Sequence, residues 1–318
     1  MHTWKFCISS KLQEIICLLA QQSVFEEAQE LLGELLGIET SAKQIQRVSE
    51  HYGLELEESE KQFEEETAQV PTVIEATGNQ SNVYVTLDGS MIFTREEGWK
   101  EIKLGRIYSE NSRVEIQQGR TEVVNSLYVC TLGSHKSFLQ KFEPYIEPYK
   151  QKVFIADGAK WIWNWVSDFY GDSVQILDFF HAIEKLNEYA SLAYKDEQER
   201  RLWLEEIKER LKQDRVVDII CELKEISPRK SKEEKALQAV IRYYENNIER
   251  MKYGTFITKG YLIGSGSIES AHRNVIQQRM KLSGQRWSIQ GAQRIVNLRA
   301  YKKSNRWADV VSHIKNAA

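Results

Sequence analysis

Asn82-Val83-Tyr84-Val85-Thr86 alternates aliphatic and other side chains, which is the pattern of a half-buried β-strand. It continues into Leu87-Asp88-Gly89-Ser90, which we interpret as a turn because Asp-Gly is a common turn dipeptide. Neighbouring strands are predicted at residues 91–94, 99–108, 113–117 and 126–132. A short buried strand, residues 152–156, ends in Asp157-Gly158, and residues 173–177 resemble another. Antiparallel strands followed by strand–helix units predict an α/β fold, a mixed sheet with flanking helices.

The N-terminal part of the chain has helical rather than strand character. Apolar residues recur at helical spacing across residues 10–52, Gly37 predicts the end of one helix, and Thr40 or Ser41 can cap the next. Two helices joined by a short turn fit a DNA-reading helix-turn-helix, and they fit a plain helical hairpin equally well. Residues 55–66 form an acidic run, and Pro71 marks a boundary.

A second helical region follows the strands. Residues 195–252 carry 15 Lys+Arg and 14 Asp+Glu and lack β character, so they read as an all-α insertion. A Gly/Ser turn at residues 264–267 then opens one more helix. We therefore divide the chain into a helical N-terminal region (1–70), a first part of the core (71–194), the insertion (195–255), and a C-terminal helix with a basic tail (256–318).

Composition excludes several classes of protein. The chain has 318 residues, 42% of them hydrophobic, and four scattered cysteines without Cys-x-x-Cys spacing. These cysteines suggest neither a disulfide framework nor a zinc ribbon, so a reducing cytoplasm is the expected location. The longest early apolar run, residues 15–20, is too short for a membrane span, and we expect no membrane association.

The formal net charge of −3 hides a strong polarity along the chain. Residues 1–69 have 5 Lys+Arg and 14 Asp+Glu, whereas residues 270–318 have 10 and 1, giving local charges of −9 and +9. Such a basic segment favours a polyanion as its partner. Alternatively, it is a solvated basic face that pairs with the acidic N-terminal part.

Three acidic residues stand out as candidates for chemistry. Asp88 and Asp157 follow predicted strands, and Glu269 lies in the first turn of the last helix. Singly, each has a structural explanation, as a turn residue or as an acid at a helix N-terminus. Together they form a cluster of oxygen ligands that suits two Mg²⁺ or Mn²⁺ ions, and such a pair activates a water or a 3′-hydroxyl and stabilises the leaving oxygen.

Two further groups accompany these acids. Asp178 and His181 share one face at the start of a helix, where the aspartate either orients the histidine beside a phosphate or simply caps the helix. The second group is basic and aromatic, and it follows Glu269. Its cations would hold a phosphodiester backbone and its tryptophan would stack on a base, or it is a solvated helix with a core tryptophan. The group consists of His272, Arg273, Arg279, Lys281, Arg286 and Trp287.

Several longer blocks resemble bacterial insertion-sequence DDE transposases of the ISKra type and, more distantly, Mutator-like transposases. The blocks are residues 85–90, 95–105, 154–163, 176–182 and 260–281, the last reading Gly-Tyr-Leu-Ile-Gly-Ser-Gly-Ser-Ile-Glu-Ser-Ala-His-Arg-Asn-Val-Ile-Gln-Gln-Arg-Met-Lys. The resemblance covers most of residues 75–310. It implies a ribonuclease-H-like core interrupted by an all-α insertion before the catalytic glutamate.

The resemblance also implies a function. It makes Asp88, Asp157 and Glu269 the metal-binding triad of a Mg²⁺- or Mn²⁺-dependent transposase with two ions, and Asp178-x-x-His181 the family's Cys/Asp-x-x-His signature. The implied partners are transposon ends and target DNA, bound by a homo-oligomer that associates with the nucleoid. Such transposases often have a longer N-terminal DNA-binding region, whereas about seventy residues precede the core here, and they are acidic. Two alternatives stay open, an inactive DNA-binding remnant and a general ribonuclease-H-like nuclease.

Overall fold

A computed structural model describes residues 6–65, 74, 81–117, 120–264 and 266–316. Within these ranges, the side chains of residues 62–65, 116–117, 120–121 and 267–269 lie outside the description. The predicted boundary at Pro71 falls outside the described residues.

The strands, the helical insertion and the C-terminal helical region follow one another as expected, but β4 was not predicted, and several helices replace the single helix expected after residues 264–267. The strands are β1 (Val83–Thr94), β2 (Gly98–Ser109), β3 (Arg113–Gln117), β4 (Arg120–Val123), β5 (Leu127–Leu132), β6 (Lys152–Ala156) and β7 (Val174–Leu177). The helices are α1 (Ser10–Ala20), α2 (Phe25–Leu36), α3 (Ala42–Glu65), α4 (His135–Ile146), α5 (Lys160–Phe169), α6 (Phe179–Ala193), α7 (Glu197–Leu211), α8 (Val216–Glu225), α9 (Ser231–Glu245), α10 (Tyr253–Thr258), α11 (Gly266–Ala271), α12 (Gln278–Met280), α13 (Ile289–Lys303) and α14 (Trp307–Asn316). Short 3₁₀ segments occupy Glu110–Ser112 and Ile248–Met251.

The predicted mixed sheet is confirmed, with the strand order β5-β2-β1-β6-β7. β1 and β2 form a long antiparallel hairpin, β2 pairs antiparallel with β5, and β6 pairs parallel with β7. β3 and β4 form a separate two-stranded ribbon.

The turn predicted at Leu87-Asp88-Gly89-Ser90 is wrong. β1 continues through these residues, and Asp88 pairs with Leu104 in the hairpin register. The chain reverses only after Thr94, and Gly98 adopts a left-handed conformation with φ 71° there. Asp88-Gly89 forms no turn because the hydrophobic alternation resumes beyond it and pairing within the sheet overrides the local preference of Asp-Gly for a turn.

The chain divides into two compact units, Met1–Gln151 with Ile268–Ala318, and Lys152–Ser267. The first unit unites the acidic N-terminal helices with the basic C-terminal helices. α3 packs along α13 so closely that a Cβ on Gly53 would lie 2.3 Å from the carbonyl oxygen of Arg294. Gly37 ends α2 with φ 64°, and the Ser41 hydroxyl accepts from the backbone of Gln44, as the sequence predicted.

Two buried arginines connect the ends of the chain inside the first unit. Arg279 donates to the carbonyl oxygen of Ala20 at 3.0 Å, and Arg299 donates to those of Gln21 and Val275. Buried charges persist only where their hydrogen bonds are made, so these contacts fix the C-terminal helices against the end of α1. Part of the basic tail therefore serves the fold.

The second unit contains β6, β7 and the helical insertion. α6 follows β7 directly and packs against α7 and α9. The predicted insertion, residues 195–255, contains α7, α8, α9, the 3₁₀ segment and the start of α10, consistent with its predicted all-α character. Pro228 lies between α8 and α9.

Candidate functional site

In the first unit, Asp88 lies beside a buried histidine. Its Oδ2 is 3.0 Å from Nε2 of His272, whose side chain is only 5% exposed. Its Oδ1 accepts a hydrogen bond from the backbone N–H of Gly89 at 2.6 Å. The Asp88 side chain remains 24% exposed, so the carboxylate lies at a surface while one of its neighbours is fixed in the core.

The helix that carries His272 is irregular. α11 ends at Ala271, and His272–Gln277 continue with π-helical hydrogen bonding before α12. Single π-helical turns inside α-helices are rare and occur frequently at functional sites. Glu269 belongs to α11, but its side chain lies outside the described residues. His272 is the first residue of this irregular segment, and its side chain lies against Asp88 of β1.

In the second unit, Asp157 and Asp178 follow the carboxyl ends of two parallel strands. Ala156 and Leu177, the last residues of β6 and β7, are register partners, and the N–H of Asp178 donates to the carbonyl oxygen of Ala156 at 2.8 Å. Asp157 Oδ1 accepts from the N–H of Ala159 at 3.0 Å. Polar side chains at such strand ends commonly carry chemistry in α/β sheets.

Asp178 caps α6, as its structural explanation predicted. Its Oδ1 accepts from the backbone N–H of His181 at 2.9 Å and also lies 3.3 Å from Nδ1 of the same residue. Asp178 is fully buried, whereas the His181 side chain is 29% exposed. The aspartate therefore caps the helix, and the same oxygen also lies near the imidazole.

The sequence alone did not identify Tyr243 as a neighbour of Asp157. This residue lies on α9 of the insertion, and its ring packs so tightly on Gly158 that a Cβ there would lie 2.1 Å from Cε2. The backbone N–H of Gly158 donates a hydrogen bond to the Tyr243 hydroxyl oxygen. Burial and, second, the charge of Asp157 raise the pKa of Tyr243 above its usual value. The absence of any side chain at Gly158 was the available signal, because it permits such a close approach.

The basic and aromatic residues that follow Glu269 fall into a buried set and an exposed set. Arg279 is 1% exposed, and its guanidinium lies 5.1 Å from the centroid of the Phe25 ring and 4.9 Å from that of Trp287. Burial and, second, the positive charge of Arg299 lower the pKa of Arg279 to about 10. Trp287 is 5% exposed and donates through Nε1 to the carbonyl oxygen of Met280 at 3.0 Å. A phosphate contact by Arg279 and base stacking by Trp287 do not fit this burial, and both side chains belong to the core.

The remaining cations of the group lie at the surface. Arg273, Lys281 and Arg286 are exposed, and Lys281 Nζ lies 3.5 Å from the Ser90 hydroxyl. The Arg286 guanidinium lies 5.7 Å from the centroid of the Phe93 ring. These three side chains are accessible to a polyanion.

Across the described residues, no group of three or more His, Cys, Asp or Glu side chains has an arrangement that could hold a metal ion. The Glu269 side chain is not among them. No described helix is both long and apolar enough to cross a membrane.

Comparison with known protein families gives a match over most of the chain. The model of the uncharacterised protein family UPF0236 matches residues 6–314, nearly the whole chain. The chain belongs to UPF0236. No curated protein matches it. The matched region of this UPF0236 member includes the Asp88–His272 contact, the two strand-end aspartates and the three exposed cations.

Proposed function

We propose that this UPF0236 member is a DDE transposase that cleaves DNA at insertion-sequence ends and joins the freed 3′-hydroxyl to target DNA. The resemblance of five sequence blocks to ISKra-type transposases supports this proposal most directly. The sheet supports it as well, because three antiparallel strands extended by two parallel strands are typical of a ribonuclease-H-like core.

In this proposal Asp88, Asp157 and Glu269 hold two Mg²⁺ or Mn²⁺ ions. Carboxylate oxygens are the donors that these hard ions prefer, and the partly exposed Asp88 is accessible to such an ion. When bound, the ions activate the attacking oxygen and neutralise the leaving oxygen. His272 orients the Asp88 carboxylate from the core side, and Arg273, Lys281 and Arg286 bind DNA phosphates.

The Asp178–His181 pair has a separate role in this proposal. The aspartate that caps α6 fixes the imidazole, and the partly exposed histidine contacts a DNA phosphate near the cleaved bond. A homo-oligomer that engages both transposon ends and target DNA completes the proposal.

A gel-shift and nicking assay tests the function on DNA that carries the element's own ends. We expect binding with and without Mg²⁺, and nicking at the ends only with Mg²⁺ and never in EDTA. Metal-dependent nicking without preference for the ends would instead indicate a general nuclease. Binding without nicking would indicate an inactive DNA-binding remnant.

A further inference from the structure

The tip of the β1–β2 hairpin, residues 91–101, carries an exposed aromatic surface in the first unit. β5 pairs with β2 only up to Ile102, so the tip extends beyond that ladder. Trp99 is 64% exposed although tryptophan is normally a highly buried residue. Its ring meets that of its register partner Phe93 edge-on, with centroids 5.5 Å apart.

The other face of the tip is packed. Ile92 and Thr94 are buried, and the backbone of Trp287 exchanges hydrogen bonds with Phe93 and Arg95. Because side chains alternate along a strand, Met91, Phe93 and Trp99 share the opposite, uncovered face. The Trp99 ring is therefore held by a supported backbone and an aromatic neighbour, not by a mobile loop.

Exposed cations lie near the tip, with Arg286 over the Phe93 ring, and the acids of the tip are engaged. Glu97 pairs with Lys100, Glu101 pairs with Lys103, and Glu96 accepts from the backbone of Ile289. Within the described part of the chain, no carboxylate forms an ion pair with the three exposed cations nearest the tip in sequence or contact. These cations are Arg95, Lys281 and Arg286.

We infer that the hairpin tip binds single-stranded DNA, with Trp99 stacked on an unpaired base. Arg95 and Arg286 hold the adjacent phosphates, since aromatic platforms beside positive charge are the usual means of binding single strands. Lys281 contacts Ser90, whose position in β1 alternates to the opposite face. A second copy of this chain would also cover an apolar surface, but the unneutralised cations favour a polyanion. The inference rests on the proposed function for its choice of DNA, and it moves the stacking role from the buried Trp287 to Trp99.

Asp88 lies five residues before Phe93 on β1, on the opposite face of the hairpin. The separation along the strand is about 17 Å at the usual rise per residue. The tip is therefore suited to a strand that flanks the cleaved bond rather than to the bond itself.

Fluorescence anisotropy in EDTA tests the inference without any cleavage. The probes are a blunt duplex with the element's end sequence and the same duplex with a single-stranded overhang. We expect the wild-type chain to bind the overhang duplex more tightly, and Trp99→Ala to weaken that binding about ten-fold while leaving the blunt duplex unchanged. Trp99→Phe should retain most of the preference.

Phe169→Ala is the matched control, because it removes an exposed aromatic side chain from the second unit. An unchanged overhang preference in Trp99→Ala would overturn the inference while leaving the transposase proposal intact. Failure of the wild-type chain to bind either duplex would overturn both. If light scattering shows that Trp99→Ala changes the oligomeric state but not the overhang preference, the tip is a subunit interface and the inference is wrong.

Discussion

His272 Nε2 lies 3.0 Å from Asp88 Oδ2, and the histidine is almost completely buried. This contact changes the interpretation of the helix after Glu269. The sequence predicts that a histidine among exposed cations binds DNA, yet His272 lies against β1, the strand that carries a candidate metal ligand. We therefore treat His272 as a residue that positions Asp88, and Arg273 beside it as the residue that reaches solvent.

His272→Ala should lower metal-dependent cleavage by roughly 10–100-fold, the usual effect of removing a group that orients a metal ligand. DNA affinity measured in EDTA should stay within about two-fold, because the side chain is buried away from any bound strand. Anisotropy and single-turnover cleavage on the same DNA measure both quantities.

Arg273→Ala is the neighbouring control, and it should show the reverse pattern. Loss of an exposed cation weakens DNA binding and reduces the dependence of log affinity on log salt by about one. If His272→Ala weakens binding as Arg273→Ala does, His272 is a DNA ligand after all.

Asp88→Asn, Asp157→Asn and Glu269→Gln should each abolish strand cleavage and leave DNA binding measurable. Each amide keeps the size of the side chain but removes the charge that binds a metal ion. Calorimetric titration with Mn²⁺ should show weaker metal binding in each variant. Asp168→Asn, an exposed carboxylate on α5, is the control and should keep full activity. Full cleavage by any triad variant would remove that residue from the triad.

The sequence predicted the strands and helices well because their signal is periodic and local. β6 was predicted with its exact bounds, and the end of α2 at Gly37 follows from the need for a left-handed residue. Which of the charged side chains are buried could not be predicted from such a local, periodic signal. Arg279 and Arg273 look alike in sequence, and only the packing of α1 and α2 against the C-terminal helices separates them.

Arg279→Met should destabilise the first unit by about 2–4 kcal/mol. The variant loses the stacking of the guanidinium between Phe25 and Trp287 and leaves the carbonyl of Ala20 without its donor. Arg286→Met, at an exposed position, should change stability by no more than about 1 kcal/mol. Urea unfolding followed by circular dichroism compares the two, and equal midpoints for them would contradict the packing role of Arg279.

Tyr189→Phe should reduce the loss of stability at alkaline pH. Burial, followed by the charge of Glu233, raises the pKa of Tyr189 to about 12, whereas the unfolded chain has a value near 10. The folded state then holds its proton more tightly, so this stability is fully present below pH 10 and is lost as the pH rises through about 12. Urea unfolding across that range should give a shallower decline for the variant, and parallel curves would argue against a raised pKa.

Gly158→Ala should destabilise the second unit by about 1–3 kcal/mol, because its Cβ would overlap the Tyr243 ring. The double variant Gly158→Ala/Tyr243→Ala should lose less than the sum of the single losses, since the smaller side chain removes the overlap. Gly33→Ala is the control. Its Cβ enters open space in the middle of α2, so it should stabilise the chain by about 0.5–1 kcal/mol. Additive losses would mean that Tyr243 does not rest on Gly158, and the insertion would then have no established contact beside Asp157.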